Sequence, residues 1–214
     1  MPARAALALL LALLAARAHA DAIVFEPAAI ADWPRRVFDS EVRYRLIDTG
    51  ERSAVEAVAD DAATALYHEV GIDLRRTPIL EWSWRIDRLP SGAAGERSKG
   101  GDDYAARVYV VREGLFGKLS ATALNYVWTR ELPVGTEWPN AFTDRARMIA
   151  VGRGEPHAGG WVTHRRDLRA DWRAAFGEAP GRIHGVAVMT DSDNTDSRAR
   201  ALYGTIRFLP RATN

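Results

Sequence analysis

Leu80, Trp82, Trp84 and Ile86 alternate with Glu81, Ser83 and Arg85, a period of two that lets an extended strand separate an apolar face from a polar one. A helix would scatter the same side chains around its circumference, so this stretch commits the chain to sheet. Val42, Tyr44 and Leu46 repeat the pattern against Arg43 and Arg45. Further strands are predicted at Ala22–Phe25, Ala54–Ala59, Ala63–Val70, Tyr104–Arg112, Thr122–Thr129, Arg145–Val151, Trp161–Asp167, Arg182–Thr190 and Leu202–Phe208. About ten short strands with turn residues between them predict an all-β chain, an antiparallel β-sandwich or barrel rather than a parallel sheet.

One helix breaks the alternation. Leu168, Trp172 and Phe176 recur every four residues, Asp167 can cap the start, and Gly177 followed by Pro180 can end it, which places a short helix near 168–176. Leu89 to Gly101 is glycine-rich and polar, and Glu131 to Phe142 carries two prolines and a glycine, so both are read as loops. With no internal repeat, charge block or linker, residues 21–214 form one β-sandwich domain.

Residues 1–20 have the pattern of a signal peptide. Arg4 gives a positive start, Ala5 to Ala16 is an unbroken Ala/Leu run, and Ala18-His-Ala20 is a small-x-small site, so cleavage is expected after Ala20. The run is too short to span a bilayer and no second apolar stretch of spanning length follows. The product is expected to be periplasmic, in a Gram-negative bacterium, or secreted.

The chain has 29 Lys+Arg against 28 Asp+Glu, and removal of Arg4 and Arg17 with the first twenty residues leaves it near neutrality. That balance argues against nucleic acid or an anionic membrane surface as partner. The absence of cysteine excludes disulfides, thiolate zinc sites, a cysteine nucleophile and a lipidated cysteine anchor. There is no G-x-S-x-G elbow, no H-E-x-x-H and no phosphate-binding glycine loop, and His68, His157, His164 and His184 stand singly.

Polar chemistry concentrates in three places. The first is Gly185 to Asp196, an apolar strand that ends in Asp191, Asp193, Asn194 and Asp196. Asp191, Asp193 and Thr195 match the first, third and fifth positions of a calcium loop, but Asp196 stands where the EF-hand needs glycine and Leu202 where it needs glutamate. Calcium on Asp191, Asp193 and Asp196, hydrogen bonding to ligand hydroxyls, and a solvated turn neutralised by Arg198 and Arg200 all fit the run.

The second is Lys99-Gly-Gly-Asp102-Asp103-Tyr-Ala-Ala-Arg107. Alternation puts Asp103, Ala105 and Arg107 on one face and Tyr104, Ala106, Val108 and Val110 on the core face, with small Ala105 leaving a depression between the charges. The third is Thr122 to Thr129, where Leu124, Tyr126 and Trp128 share one face and Ala123, Asn125 and Val127 the other. Asn125 is thereby placed among small apolar neighbours, able to donate to and accept from a hydroxyl-rich ligand.

Four linked stretches, Lys-Gly-Gly-Asp-Asp-Tyr-Ala-Ala-Arg-Val-Tyr-Val at 99–110, Asn-Tyr-Val-Trp at 125–128, Gly-x-Glu-Trp-Pro-Asn-x-Phe at 135–142 and Met-Thr-Asp-Ser-Asp-Asn-Thr at 189–195, resemble a bacterial family known as domain of unknown function 3047. The resemblance covers nearly all of residues 21–214. It implies exported proteins without an assigned activity and a jelly roll similar to the galactose-binding fold of carbohydrate-binding modules. The final-strand stretch Leu202 to Phe208 lacks the acidic pair that many such modules carry. What the resemblance implies for the site is that Lys99, Asp102, Asp103, Arg107, Asn125, Trp128, Asp191, Asp193 and Asn194 gather in one place.

The expected function is a non-catalytic binding module for a polar, glycan-like ligand, with acids and amides meeting hydroxyls, Lys99 and Arg107 donating, and Trp128 as an apolar wall. Two alternatives use the same residues differently: a hydrolase or lyase on an envelope polysaccharide acting through paired carboxylates, and an envelope scaffold.

Overall fold

The computed structural model describes residues 22–92, 94–114, 117–155 and 160–212. The cleavage site expected after Ala20, and His157, lie outside them. Thirteen strands, numbered along the chain, form two sheets among the described residues. One sheet comprises β1 (Ile23–Phe25), β3 (Arg43–Asp48), β4 (Ser53–Asp60), β6 (Ile79–Arg88), β11 (Val162–Asp167) and β13 (Arg198–Leu209), in the order β11-β6-β13-β4-β3 with β1 also paired to β13. The other comprises β2 (Arg35–Val37), β5 (Ala63–Asp73), β7 (Arg107–Gly114), β8 (Gly117–Thr129), β9 (Glu137–Asn140), β10 (Thr143–Arg153) and β12 (Arg182–Asp191), in the order β2-β5-β12-β7-β8-β10-β9.

The all-β sandwich of two sheets expected from the alternation is what forms. Trp82, Trp84 and Ile86 from β6 meet Leu124 and Tyr126 from β8 and Val186 and Val188 from β12 in one core between the sheets. Each such large side chain contributes roughly 1.5–3 kcal/mol by leaving water, and their shared parity fixes register, since a one-residue slip would turn a strand's apolar set outward. No helix among the described residues is long and apolar enough to cross a membrane.

Three expectations need correction. The strands number thirteen because β2 and β9, three and four residues long, are edge strands too short to show alternation. β9 lies inside the segment read as a loop from Glu131 to Phe142. The pairing is not wholly antiparallel: β8 and β10 run parallel, from Ala146 opposite Ala123 to Arg153 opposite Thr129. The chain leaves β8, lays down β9 at the outer edge and returns as β10 between them, so the segment 130–136 acts as a crossover. A second short helix, α1 (Pro27–Ala31), precedes β2.

The helix α2 (Leu168–Phe176) follows its sequence signals. The Asp167 carboxylate accepts from the amides of Arg169 and Ala170, and Gly177 ends the helix with φ 81°.

Candidate functional site

The outer face of the seven-stranded sheet is not plain solvated surface. The odd-numbered residues of β7, β8 and β12 point to it, so Arg107, Tyr109, Asn125 and Met189 share one side of the sheet. With Asp102, Asn140, Phe142, Asp191, Asp193 and Asn194 they line a groove of about 420 Å³, within the range typical of small-ligand sites.

The groove forms where β7 starts late. Residues 102–106 are irregular, and they are tied to β12: the Thr190 hydroxyl donates to the Ala105 carbonyl at 2.8 Å and the Asp191 amide donates to the Tyr104 carbonyl at 3.2 Å. Because pairing begins only at Arg107, simple alternation does not hold upstream. Ala105 is buried in the main core and leaves no depression, whereas Tyr104 packs outside it with Val127, Trp138 and Met148. The glycine-rich segment before it is pinned rather than loose. Buried Glu96 accepts from the amides of Arg130, Glu131 and Leu132 at 2.6, 3.0 and 3.2 Å. A Cβ at Gly101 would lie 2.4 Å from the Gly95 carbonyl oxygen, so only glycine fits there.

Arg107 is the hub. Its side chain is 3% exposed, and its Nε donates to Asp191 Oδ1 at 2.9 Å while Nη2 donates to Asp191 Oδ2 and to the Asp102 carbonyl. Nη1 reaches Asp102 Oδ2 at 3.4 Å, and the guanidinium lies 4.5 Å from the Tyr104 ring centroid. Asn140 donates to Asp102 Oδ2 at 3.0 Å, and the Tyr104 amide to Asp191 Oδ1 at 2.9 Å. Among the described residues two buried acceptors are left over: Asp102 Oδ1 and Asn125 Oδ1 have no partner there, although Asp102 is 4% and Asn125 1% exposed. A buried acceptor without a donor costs about 1–3 kcal/mol, so its persistence calls for an explanation.

Burial pushes the Asp191 carboxyl up to about 8; the Arg107 guanidinium pulls the other way and the nearby Asp103 carboxylate adds to the rise. Asp193 is raised for the same first reason, burial, with Asp103 again adding.

Of the nine residues expected to gather, six line the groove together: Asp102, Arg107, Asn125, Asp191, Asp193 and Asn194. Asp103 lies immediately behind them, and its oxygens are taken by the Asn194 amide and side chain at 3.2 and 3.1 Å and by the Thr195 hydroxyl, so it clamps the β12–β13 loop. Lys99 is exposed at the rim, with its ammonium 5.4 Å from the Phe142 ring centroid. Trp128 does not join the site. It sits in the main core on the face opposite Asn125 and donates from Nε1 to the Gly154 carbonyl at 2.9 Å, so it is no ligand wall.

The acid run also differs from its template. Asp196 is exposed with φ 48° and serves as a turn residue, while Asp103 takes its place: Asp103, Asp191 and Asp193 each bring one oxygen within 4.8 Å of the others. A calcium ion there would share oxygens already held by Arg107, Asn194 and Thr195. Arg198 and Arg200 do not neutralise the loop. They bind Asp60 and Glu56, and the charge at the acid run is met by Arg107.

The sequence reading missed Asn140 and the apolar rim of Phe38, Tyr109, Phe142 and Met189. Asn140 and Phe142 had a signal, since they end the Gly-x-Glu-Trp-Pro-Asn-x-Phe stretch at 135–142. Phe38, just past a three-residue strand, had none.

A family model described as "Protein of unknown function (DUF3047)" matches residues 31–207. The chain belongs to this family. The matched span of the DUF3047 chain contains every groove residue. No curated protein matches the sequence. Among solved structures, the glycoside hydrolase domain of Endo-D from Streptococcus pneumoniae R6 is 9% identical with a TM-score of 0.42, over 85% of this chain and 22% of that one. A thermostable Cel12A cellulase derived from that of Rhodothermus marinus is 11% identical with a TM-score of 0.46, over 87% and 100% of the two chains. The xyloglucanase domain of NopAA from Sinorhizobium fredii, in complex with cellobiose, is 12% identical with a TM-score of 0.42, over 87% and 96%. These similarities are too distant to carry any statement about a shared site.

Proposed function

We propose that this DUF3047 protein is an exported, soluble, periplasmic or secreted binding protein whose outer-face groove takes a polar, hydroxyl-bearing, glycan-like ligand without changing it chemically. The observation that supports the reading is that Asp102 and Asn125, whose Oδ1 atoms are buried without partners, both line one groove. A ligand with two or more hydroxyls supplies the missing donors and recovers the hydrogen-bond energy that the free protein forgoes. Asp102, Asp103 and Asp193 outnumber Arg107 there even with Asp191 protonated, which disfavours an anionic ligand. Phe142, Tyr109 and Met189 offer apolar contact to the carbon-bearing faces of such a ligand. The export expectation rests on residues 1–20.

A second reading, hydrolysis or elimination on a polysaccharide, is favoured by one observation: Asp191, raised to about 8, and Asp193, also raised, face the same groove as Asp102. Against it, both Asp191 oxygens are held by Arg107, and one also by the Tyr104 amide, so its proton is poorly placed for transfer.

The test is a thermal-shift screen of residues 21–214 against calcium, EDTA and a glycan panel, with Asp102→Asn and Asn125→Leu alongside. A glycan at a hundred times its dissociation constant adds about 2.7 kcal/mol to the wild type. Both variants should lose that response. No shift with any glycan, or an equal shift in both variants, would overturn the proposal. Release of product from a glycan that shifts the wild type would favour the enzymatic reading.

A further inference from the structure

Beside the groove lies a second depression of about 410 Å³ on the same face of the sheet. Arg36, Tyr67, Glu69, Val111, Glu113 and Ala121 are among the residues that line it, and it shares Phe38 and Tyr109 with the groove. The two hollows therefore share walls and lie side by side on the sheet. On β7 the path goes from Arg107 in the first to Glu113 in the second, six residues or about 20 Å of extended chain. One sugar ring cannot span that length.

The floor of the second depression is small. Ala65 and Ala187 face it, and β12 places Gly185 one step beyond Ala187 on the same parity. A Cβ at Gly185 would lie 2.3 Å from Tyr67 Oη and 2.7 Å from two of its ring carbons, so the Tyr67 ring rests across the strand in space that any other residue would fill. Tyr67 and Tyr109 flank Ala187 directly in register on β5 and β7. Phe38 stands at the junction and Phe142 at the rim of the groove, each 57% exposed.

Rings thus line the middle of the path, while charged groups sit toward its ends along the strands: Asp102 and Arg107 at one, Glu69 and Glu113 at the other. Asn125 stands level with Tyr109 on the neighbouring strand, and Arg36 is level with Arg107 across β5 and β12. That arrangement matches a chain of sugar rings, which has apolar faces and hydroxyl edges. A peptide strand would need an open sheet edge, and this path lies over the interior strands β12 and β7.

Building on the proposed glycan-like ligand, we infer that the two depressions form one continuous binding track for an oligosaccharide of at least two rings, with Tyr67, Phe38 and Tyr109 as stacking surfaces for the rings beyond the acidic end. A single sugar occupies only the groove at Asp102 and Asn125.

The experiment is calorimetric titration with glucan and N-acetylglucosamine ladders of one to six units, on wild type, Asn125→Leu, Tyr67→Ala and Ala121→Trp. Ala121→Trp fills the second depression from a half-buried strand position and keeps the test valid if Tyr67→Ala perturbs the sheet. At least one ladder should gain affinity by at least about tenfold between one and four units. Ala121→Trp and Tyr67→Ala should erase that gain and leave the shortest bound member unchanged, and Asn125→Leu should weaken every length. Affinity independent of length, or a gain that survives Ala121→Trp, would overturn the continuous track and leave the binding proposal standing. Absence of binding by all ladders would remove both.

Discussion

Two carboxylate–arginine clusters face away from the core, one on each sheet, and they differ in what they leave unpaired. On the six-stranded sheet Glu56 is 1% exposed, and it receives Arg45 Nε and, at 3.0 and 2.7 Å, the Nε and Nη2 of Arg200. The two arginine side chains remain 58% and 43% exposed, so solvent completes their hydration. On the seven-stranded sheet the arginine is itself buried, and Asp102 Oδ1 and Asn125 Oδ1 remain without donors beside it. Burial opposes ionisation of Glu56, yet the hydrogen bonds from Arg45 and Arg200 outweigh it and hold the carboxyl below its ordinary value. At Asp191 burial wins and the carboxyl rises. The first cluster is complete as folded; the second is complete only when something else donates. Burial of charge does not tell the two clusters apart; leftover acceptors beside a groove do.

Removing the arginines should separate the clusters most sharply. Arg107→Met leaves Asp191 and Asp102 buried without their cation and should cost about 3–5 kcal/mol in urea unfolding. Arg200→Met leaves Arg45 on Glu56 and water around both, and should cost about 1 kcal/mol or less. Equal losses would erase the distinction. Glu56→Gln comes next, at about 1.5–3 kcal/mol, since two charged donors lose their strong acceptor; a neutral outcome would mean that solvent, and not pairing, stabilises that face.

The pH dependence should differ in sign. Asp191 binds its proton more tightly folded than unfolded, so the stability it contributes is full below about 3.8 and is lost as pH rises through about 8. Glu56 binds its proton less tightly when folded, so its contribution is full above 4.5 and is lost as pH falls through its lowered folded value. In unfolding curves from pH 3 to 9, Asp191→Asn should flatten the decline between about pH 4 and 8, and Glu56→Gln the loss below 4.5. The reverse assignment would contradict the comparison.

Much of the architecture was legible because it is local. The alternation of Leu80 to Ile86 requires only that one face be buried, and β6 spans it; Asp167 and Gly177 bound α2 by groups within their own turns. The gathering of Asp102, Arg107, Asn125, Asp191, Asp193 and Asn194 followed from the resemblance, since all six lie in the stretches that carry it. Alternation already sets Trp128 and Asn125 on opposite faces of β8, so one of them had to leave the site, and the core claimed the larger apolar ring. What sequence could not show was partnership across distant segments. Asp103 and Asp196 exchange roles because a left-handed turn throws Asp196 outward while the loop folds back onto Asp103. The parallel β8–β10 pair and the groove wall at Asn140 and Phe142 depend on a crossover that no local pattern announces.

The smallest expected effect is the most direct test. Asn125→Leu replaces a buried amide, whose oxygen lacks a donor and whose nitrogen meets only the Met148 sulfur at 3.4 Å, by an apolar side chain of similar size. If that amide is kept for a ligand, the protein without ligand should become more stable, by about 1 kcal/mol in urea unfolding at unchanged m-value. A loss of about 1 kcal/mol or more would mean that Asn125 is already satisfied within the fold, and would contradict the claim that this groove is built to be completed by a partner.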